Sequence, residues 1–325
     1  MRVLVTGRGS IAQRHVRHLT ELMPQVEVAV VSGNGEVDDS LSACSVLGDF
    51  ESGLDWLPDA VIIASISSKH AHELERCLQL GLPCLAEKPL VTDSAQLARL
   101  IDARQQQNRK SAVVVGCNLR YLPALQKLRL ALNGEPGLKV LRARLEVGQA
   151  LSQWRPHRAL ESSYSAHAQD GGGVVFDLVH EIDMAWWLLG PLEVRGAVGG
   201  HLSDLPITSD DVHVALLVNA VGAPVVVELD YVSLQAVRRY SIVTSHGTFT
   251  ADLAGVAGKC ISFSDGIKVQ IVTDNPADFD IKHTYALQMR DWLNAVAGST
   301  YAVMSPLEDA FKSADLMLEM KAAAA

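Results

Sequence analysis

A glycine-rich hexapeptide, GRGSIA, occupies residues 7–12, between an apolar run and a helical pattern. The first glycine permits a tight turn, and the second lets the backbone approach a phosphate closely. The small sixth residue lets the helix pack against the strand, and a helix N-terminus attracts an anion. This spacing predicts that the pyrophosphate of a dinucleotide binds to Gly7, Gly9, Ser10, Ile11 and Ala12.

The second apolar run, residues 26–31, ends in Ser32-Gly33-Asn34. Proteins that bind NAD place a carboxylate about 20 residues beyond the glycines, where it holds the ribose hydroxyls. That acidic residue is missing from this strand end. A hydroxyl and backbone amides can donate hydrogen bonds to the 2′-phosphate of NADP, whereas a carboxylate repels it. The sequence therefore slightly favours NADP over NAD. Arg8 and Arg14 are candidate counter-charges.

Glu87-Lys88-Pro89 follows a short apolar run, at the kind of strand end where open α/β sheets bind ligands. A lysine at this edge can hydrogen-bond a substrate hydroxyl or exchange a proton. The alternative is a surface ion pair between Glu87 and Lys88, which neighbours in sequence rarely form well. We therefore predict a functional role for Lys88.

Asp177 and His180 lie in a helical pattern over residues 174–189, which follows three glycines. A spacing of three places both side chains on one helix face. A carboxylate beside an imidazole fixes its tautomer and raises its basicity, which suits a proton acceptor. Two alternatives stay open: a helix-start acid with a core histidine, or two metal ligands for which the sequence places no third.

The elements that must position these residues differ between the two halves of the chain. Apolar runs alternate with helical patterns over the first ~120 residues, which predicts a parallel sheet covered on both faces. Later runs have a period of two, which predicts a mostly antiparallel sheet with one covered face. We predict an α/β protein, with a Rossmann-like doubly wound sheet in residues 1–118 and an α+β domain with a large open sheet in residues 119–325.

Composition excludes several classes of protein. The 325 residues carry a formal net charge of −9, which disfavours general binding to nucleic acid or an anionic membrane. No apolar run approaches the roughly 20 residues of a membrane span, and the N-terminus lacks a signal-peptide pattern. Five cysteines without a CxxC pair indicate neither a disulfide framework nor a zinc site. We expect a cytoplasmic protein without a metal.

Four segments together resemble the Gfo/Idh/MocA family: GRGSIA at 7–12, EKPL at 87–90, VGCNLRYLP at 115–123 and GGGVVFDLVHEID at 171–183. Their order and spacing cover almost the whole chain. The resemblance implies an NAD(P)-dependent oxidoreductase that interconverts a secondary alcohol and a ketone on a sugar, cyclitol or sugar derivative. It also implies that the open sheet forms a homodimer or homotetramer. An inactive nucleotide-binding sensor on the same fold is the alternative.

The resemblance also implies roles for single residues. His180 would take the hydroxyl proton, Asp177 would orient His180, and Lys88 would polarise the oxygen. Most members have three residues between the aspartate and the histidine; this chain has two, as in a branch whose helix reads DLSHE. The implied cofactor-binding residues are Gly7, Gly9, Ser10, Ile11, Ala12, Ser32, Gly33, Asn34, Ser65, His70, Glu87 and Lys88. The candidate substrate-binding residues are Arg120, Trp154, Arg155, Tyr164, Asp177 and His180.

Overall fold

The computed structural model describes residues 1–154, 159–160, 163–255, 258–299 and 302–324. They form two compact units, Met1–Asn118 with Lys282–Ala314, and Leu119–Ile281 with Asp315–Ala325. The division proposed from the sequence, 1–118 and 119–325, did not anticipate that the chain returns to the first unit. The physical reason is the burial of Met289 and Trp292 in the apolar core of that unit.

The first unit contains a six-stranded parallel sheet. Its strands are β1 (Arg2–Thr6), β2 (Glu27–Val31), β3 (Ser45–Leu47), β4 (Ala60–Ile63), β5 (Cys84–Ala86) and β6 (Val113–Val115). They lie in the order β3-β2-β1-β4-β5-β6, and all neighbours are parallel. The order therefore reverses between β1 and β4, and open α/β sheets bind ligands beyond the strand ends at such a point.

Helices connect the strands and cover the sheets. Within the described residues they are α1 (Ser10–Leu22), α2 (Phe50–Asp55), α3 (Ser67–Leu80), α4 (Ser94–Gln105), α5 (Pro123–Gly134), α6 (Val174–Asp177), α7 (Val179–Leu189), α8 (Ile281–Val296) and α9 (Leu307–Ala323). Each of these helices is too short or too polar to cross a lipid bilayer.

The second unit contains an eight-stranded open sheet. Its strands are β7 (Val140–Gly148), β8 (Leu192–Gly200), β9 (Val212–Asn219), β10 (Pro224–Asp230), β11 (Val237–Thr244), β12 (Gly247–Asp252), β13 (Cys260–Ser264) and β14 (Val269–Thr273). They lie in the order β14-β13-β12-β11-β7-β10-β9-β8. Strands β7 and β10 pair in parallel, and the other neighbours are antiparallel. The fold class predicted from the periodicities is confirmed.

Helix α7 carries two fully buried carboxylates, each paired with an arginine. The Asp183 carboxylate accepts two hydrogen bonds from the Arg120 guanidinium, at 2.9 Å from Nε and 2.7 Å from Nη2. Glu181 Oε1 lies 2.7 Å from Nε of Arg238. A carboxylate without such a partner is very costly in the interior, so these pairs fix the helix against its surroundings.

The buried pair of Arg120 and Asp183 yields a stability prediction. Arg120→Ala should lower the free energy of unfolding by about 3–5 kcal/mol, because it leaves an uncompensated buried carboxylate. Arg239 pairs with Asp252 at 2.9 Å on the surface, so Arg239→Ala should cost less than about 1 kcal/mol. Urea denaturation measures both. Equal losses in the two variants would contradict the importance of the buried pair.

Candidate active site

The glycine turn after β1 has the geometry that a dinucleotide requires. Gly7 has a φ of +83°, and a Cβ atom there would lie 2.5 Å from the carbonyl oxygen of Ala64. A Cβ at Gly9 would meet no atom within 4 Å, so the start of α1 is open. No side chain caps this helix, which leaves its first N–H groups available to an anion. The turn thus fits a pyrophosphate.

The remaining residues of the turn follow the predicted packing. Ala12 is fully buried in the core of the first unit, and Ile11 packs partly buried against that core. Ser10 is exposed at the first position of α1. The small Ala12 therefore lets the helix approach the sheet, as its position in the hexapeptide predicted.

The loop after β2 is held by its own polar groups. The Ser32 side chain is buried, and its hydroxyl donates a 2.6 Å hydrogen bond to the Glu36 carbonyl oxygen. Gly33 and Asn34 are exposed. The Asn34 amide oxygen accepts a 2.6 Å hydrogen bond from Arg8. Glu36 therefore belongs to this loop, although sequence reasoning passed over it because it lies beyond the strand end.

Ser65 and His70 support the loops at the sheet edge. The Ser65 hydroxyl donates to Glu73 at 2.8 Å. His70 is buried, with Nδ1 2.8 Å from the Pro89 carbonyl oxygen and Nε2 3.0 Å from the Ser65 carbonyl oxygen. The His70 ring therefore joins the loops after β4 and β5, and its contact with the cofactor stays a prediction.

Lys88 follows a buried glutamate at the end of β5. Glu87 Oε1 lies 2.7 Å from Nε2 of His15, whose ring is fully buried on α1. Burial raises the pKa of Glu87, but the hydrogen bond with His15 and the nearby charge of Lys88 outweigh it and lower the pKa overall. Lys88 itself is partly exposed. Buried, paired Glu87 therefore anchors the backbone from which Lys88 projects.

The helix predicted over 174–189 is broken at Leu178. Helix α6 ends at Asp177 and α7 begins at Val179, with Leu178 at φ −97° and ψ 21° between them. The prediction that Asp177 and His180 share the face of one helix is therefore wrong. Asp177 ends the first helix in a buried position, whereas His180, in the first turn of the second, is partly exposed.

Two tyrosines hold the Asp177 carboxylate. The Tyr164 hydroxyl donates to Oδ1 at 2.8 Å, and the Tyr231 hydroxyl donates to Oδ2 at 2.6 Å. Burial and the adjacent Asp177 charge raise the pKa of Tyr231 well above its usual value, so this phenol remains a donor. Tyr231 was missed by sequence reasoning, because nothing in the alternating pattern of β10, which it follows, shows that it reaches Asp177.

The other predicted substrate-binding residues have different placements. The Trp154 ring packs edge-on against Tyr231, with the centroids 5.2 Å apart. The partly exposed Tyr164 reaches Asp177 through its hydroxyl. Arg120 has no exposed side-chain surface and pairs with Asp183, which corrects the expectation that it contacts substrate. Arg155 lies outside the described residues. No group of three or more His, Cys, Asp or Glu side chains in the described part of the chain could hold a metal ion.

Two family models match the chain. One, described as an oxidoreductase family with an NAD-binding Rossmann fold, matches residues 1–116, and the GFO/IDH/MocA C-terminal domain matches residues 140–250. The chain belongs to the Gfo/Idh/MocA family, and its residues 1–116 form the NAD-binding Rossmann fold of that family.

Curated relatives of this chain include several inositol 2-dehydrogenases. Inositol 2-dehydrogenase 2 of Saccharopolyspora erythraea is 30% identical over 196 residues, 58% of this chain and 54% of that protein. This match therefore spans about half the length of the relative. Inositol 2-dehydrogenase 2 of Paenarthrobacter aurescens is 25% identical over 95% of this chain and 91% of its own.

Solved structures show the same fold. The WlbA dehydrogenase from Bordetella pertussis, in complex with NADH and UDP-GlcNAcA, has a TM-score of 0.81 at 17% identity, covering 100% of this chain and 95% of its own. The UDP-N-acetylglucosamine 3-dehydrogenase GnnA from Acidithiobacillus ferrooxidans has a TM-score of 0.76 at 21% identity, covering 99% of this chain and 97% of its own.

The glycine turn yields a binding prediction. Gly7→Ala should weaken the binding of NAD and NADP at least about tenfold, because the added methyl group cannot fit beside the Ala64 carbonyl. Gly134→Ala is the control, since a Cβ atom there meets nothing within 4 Å. Isothermal titration calorimetry measures both. Unchanged affinity in a folded Gly7→Ala variant would contradict this location of the dinucleotide.

Proposed function

We propose that the chain is an NAD(P)-dependent oxidoreductase that interconverts a secondary alcohol and a ketone on a cyclitol, a sugar or a sugar derivative. The open glycine turn before the uncapped helix α1 carries the proposal, because it fits the dinucleotide on which such a reaction depends. Family membership and inositol 2-dehydrogenase relatives support the substrate class.

In the proposed reaction, a bound nicotinamide would supply the redox chemistry, as the acceptor of the hydride from the carbinol carbon. His180, which is partly exposed, takes the hydroxyl proton. Asp177 stabilises and orients the imidazole, and its own position is fixed by the hydroxyls of Tyr164 and Tyr231. The Lys88 ammonium polarises the reacting oxygen, and buried Glu87 positions its backbone. In the reverse direction the same groups return the proton to the carbonyl oxygen.

The surroundings of Asp177 suit a polar, ring-shaped substrate. Trp154 and Tyr164 supply aromatic surface together with a hydroxyl, which is a combination that binds sugar and cyclitol rings. We include Arg155 among the substrate-binding residues, where its guanidinium would pair with a carboxylate or phosphate on the substrate. Turnover over a panel of neutral and anionic sugars, with and without Arg155→Met, tests this role.

We propose that NADP is accepted slightly better than NAD. Ser32 stands at the strand end where a carboxylate would repel the 2′-phosphate, and the partly exposed Arg8 guanidinium lies beside this loop. A cytoplasmic location is also proposed, in keeping with five cysteines that form no disulfide.

The catalytic roles give a kinetic prediction. Lys88→Ala, His180→Ala and Asp177→Asn should each lower turnover by about 10²–10⁴-fold. Dinucleotide affinity should not change in the His180 and Asp177 variants, because neither residue is among the proposed cofactor-binding residues. When the substitutions are combined, the total loss of turnover should be much smaller than the three single losses would give together. Groups that act as a unit lose their joint effect with the first substitution. Alcohol oxidation should accelerate with rising pH, because only a neutral imidazole can accept the hydroxyl proton.

His246→Ala is the control, since His246 is an exposed histidine that pairs with Glu135 in the same unit. Its turnover should stay within a few-fold of the unmodified chain. The assignment would be contradicted by a His180→Ala variant with near-normal turnover and an unchanged pH profile. Tight nucleotide binding without turnover of any substrate would favour the inactive sensor.

We propose that one face of the large sheet pairs with a second copy of the chain, to give a homodimer or homotetramer. Alternate residues of β9 are buried under the helices, while Val214 and Leu216 on the other face are exposed. Val198 of β8, opposite Val214, extends this apolar strip, and Val198 is 72% exposed. Burial of such a strip against an identical one stabilises a two-fold dimer.

The proposed pairing of sheet faces predicts the oligomeric state of the protein in solution. Sedimentation at micromolar concentration should show a dimer or tetramer, and Leu216→Glu should produce smaller species by placing a charge within the strip. Leu130→Glu is the control, because Leu130 is an exposed leucine on helix α5 and is not part of the strip on β8 and β9. Sedimentation of the unmodified chain as a monomer would contradict the proposal.

A further inference from the structure

An ion pair joins the glycine turn to the loop after β2 in the first unit. Arg8 donates hydrogen bonds from Nη1 to the Asn34 amide oxygen at 2.6 Å and to the Glu36 carbonyl oxygen at 2.8 Å. The same nitrogen lies 3.8 Å from the Glu36 carboxylate. The Asn34 amide nitrogen donates to that carboxylate at 2.7 Å. We call these three residues the Arg8 cluster.

The Arg8 cluster lies where the two dinucleotides differ chemically. In a Rossmann domain the turn after the first strand holds the pyrophosphate, and the end of the second strand holds the ribose that carries either a 2′-hydroxyl or a 2′-phosphate. Arg8 belongs to the first of these segments and Glu36 to the second. The cluster contains one guanidinium that attracts a 2′-phosphate and one carboxylate that opposes it.

Both charged side chains are accessible to a ligand. The side chain of Arg8 is 44% exposed, and that of Glu36 is 80% exposed. Ser32, by contrast, is neutral and buried, and its hydroxyl already donates to the Glu36 carbonyl oxygen. The charges that a 2′-phosphate meets at this loop therefore include the pair of Arg8 and Glu36.

We infer that Glu36 is a specificity-determining residue, which limits the binding of NADP by competing with the 2′-phosphate for Arg8. A 2′-phosphate that pairs with Arg8 must displace the carboxylate or accept its repulsion, whereas a 2′-hydroxyl can donate a hydrogen bond to it. The inference rests on the proposed use of NAD(P), and it holds whichever dinucleotide the unmodified chain prefers.

The test is the affinity of Glu36→Gln for NADP⁺ and NAD⁺, measured by isothermal titration calorimetry without any substrate. The substitution keeps the size of the side chain and removes its charge. We expect the dissociation constant for NADP⁺ to fall by about three- to tenfold, as one exposed charge at close range produces. The constant for NAD⁺ should stay within about twofold, or rise.

A matched control separates the local charge from the net charge of the chain. Glu51 is an exposed glutamate of the same unit, 3.4 Å from Arg76, and Glu51→Gln changes the net charge by the same amount. This variant should bind both dinucleotides like the unmodified chain. An equal gain in NADP⁺ affinity in Glu51→Gln would overturn the inference.

A second variant tests the part played by Arg8. In an Arg8→Met background, Glu36→Gln should give little or no gain in NADP⁺ affinity, because the guanidinium for which the two anions compete is gone. An undiminished gain there would overturn the competition, as would equal changes for both dinucleotides in Glu36→Gln. If the unmodified chain bound neither dinucleotide, the proposed function would fail together with the inference. A preference for NAD⁺ would contradict only the proposed cofactor preference.

Discussion

The first unit depends on the close approach of Gly7 to the backbone of Ala64. A side chain at Gly7 would collide with the carbonyl oxygen at the end of the neighbouring strand, so the turn exists only because this residue has none. The turn directs the chain into α1 at the point where the strand order reverses. The loops that carry Ser32 and Lys88 follow parallel strands of the same sheet, so they leave the same edge as the glycine turn.

In the second unit, long-range polar contacts determine the shape of the candidate site. Asp177 is the last residue of α6, and its carboxylate accepts hydrogen bonds from Tyr164 and Tyr231, which lie 13 and 54 residues away in the sequence. The adjacent helix α7 is fixed by the buried pair of Asp183 and Arg120. Asp177, before the break between the helices, is buried, and His180, after it, is partly exposed.

Local sequence patterns predicted the parts of the structure that depend on local physics. The glycine turn is recognisable from the spacing of small residues within one hexapeptide, and the covered and open faces of the two sheets follow from hydrophobic periodicity. The interior position of Arg120 and the return of α8 to the first unit depend on partners far away in the sequence, and the break at Leu178 interrupts a pattern that reads as one continuous helix. The role of Glu36 was missed for a related reason, because the loop after β2 folds back and brings a residue beyond the strand end to Arg8.

The most direct test follows the hydride itself. The protein is incubated with oxidised NADP or NAD and a panel of cyclitols and sugars that carry deuterium on each carbinol carbon, and the nucleotide is then analysed by mass spectrometry. The account predicts reduced nicotinamide that has gained deuterium from at least one substrate, and far less of it with His180→Ala. The account would be contradicted if the oxidised nucleotide bound but was reduced by none of the compounds, and if the reduced nucleotide was oxidised by none of the corresponding ketones.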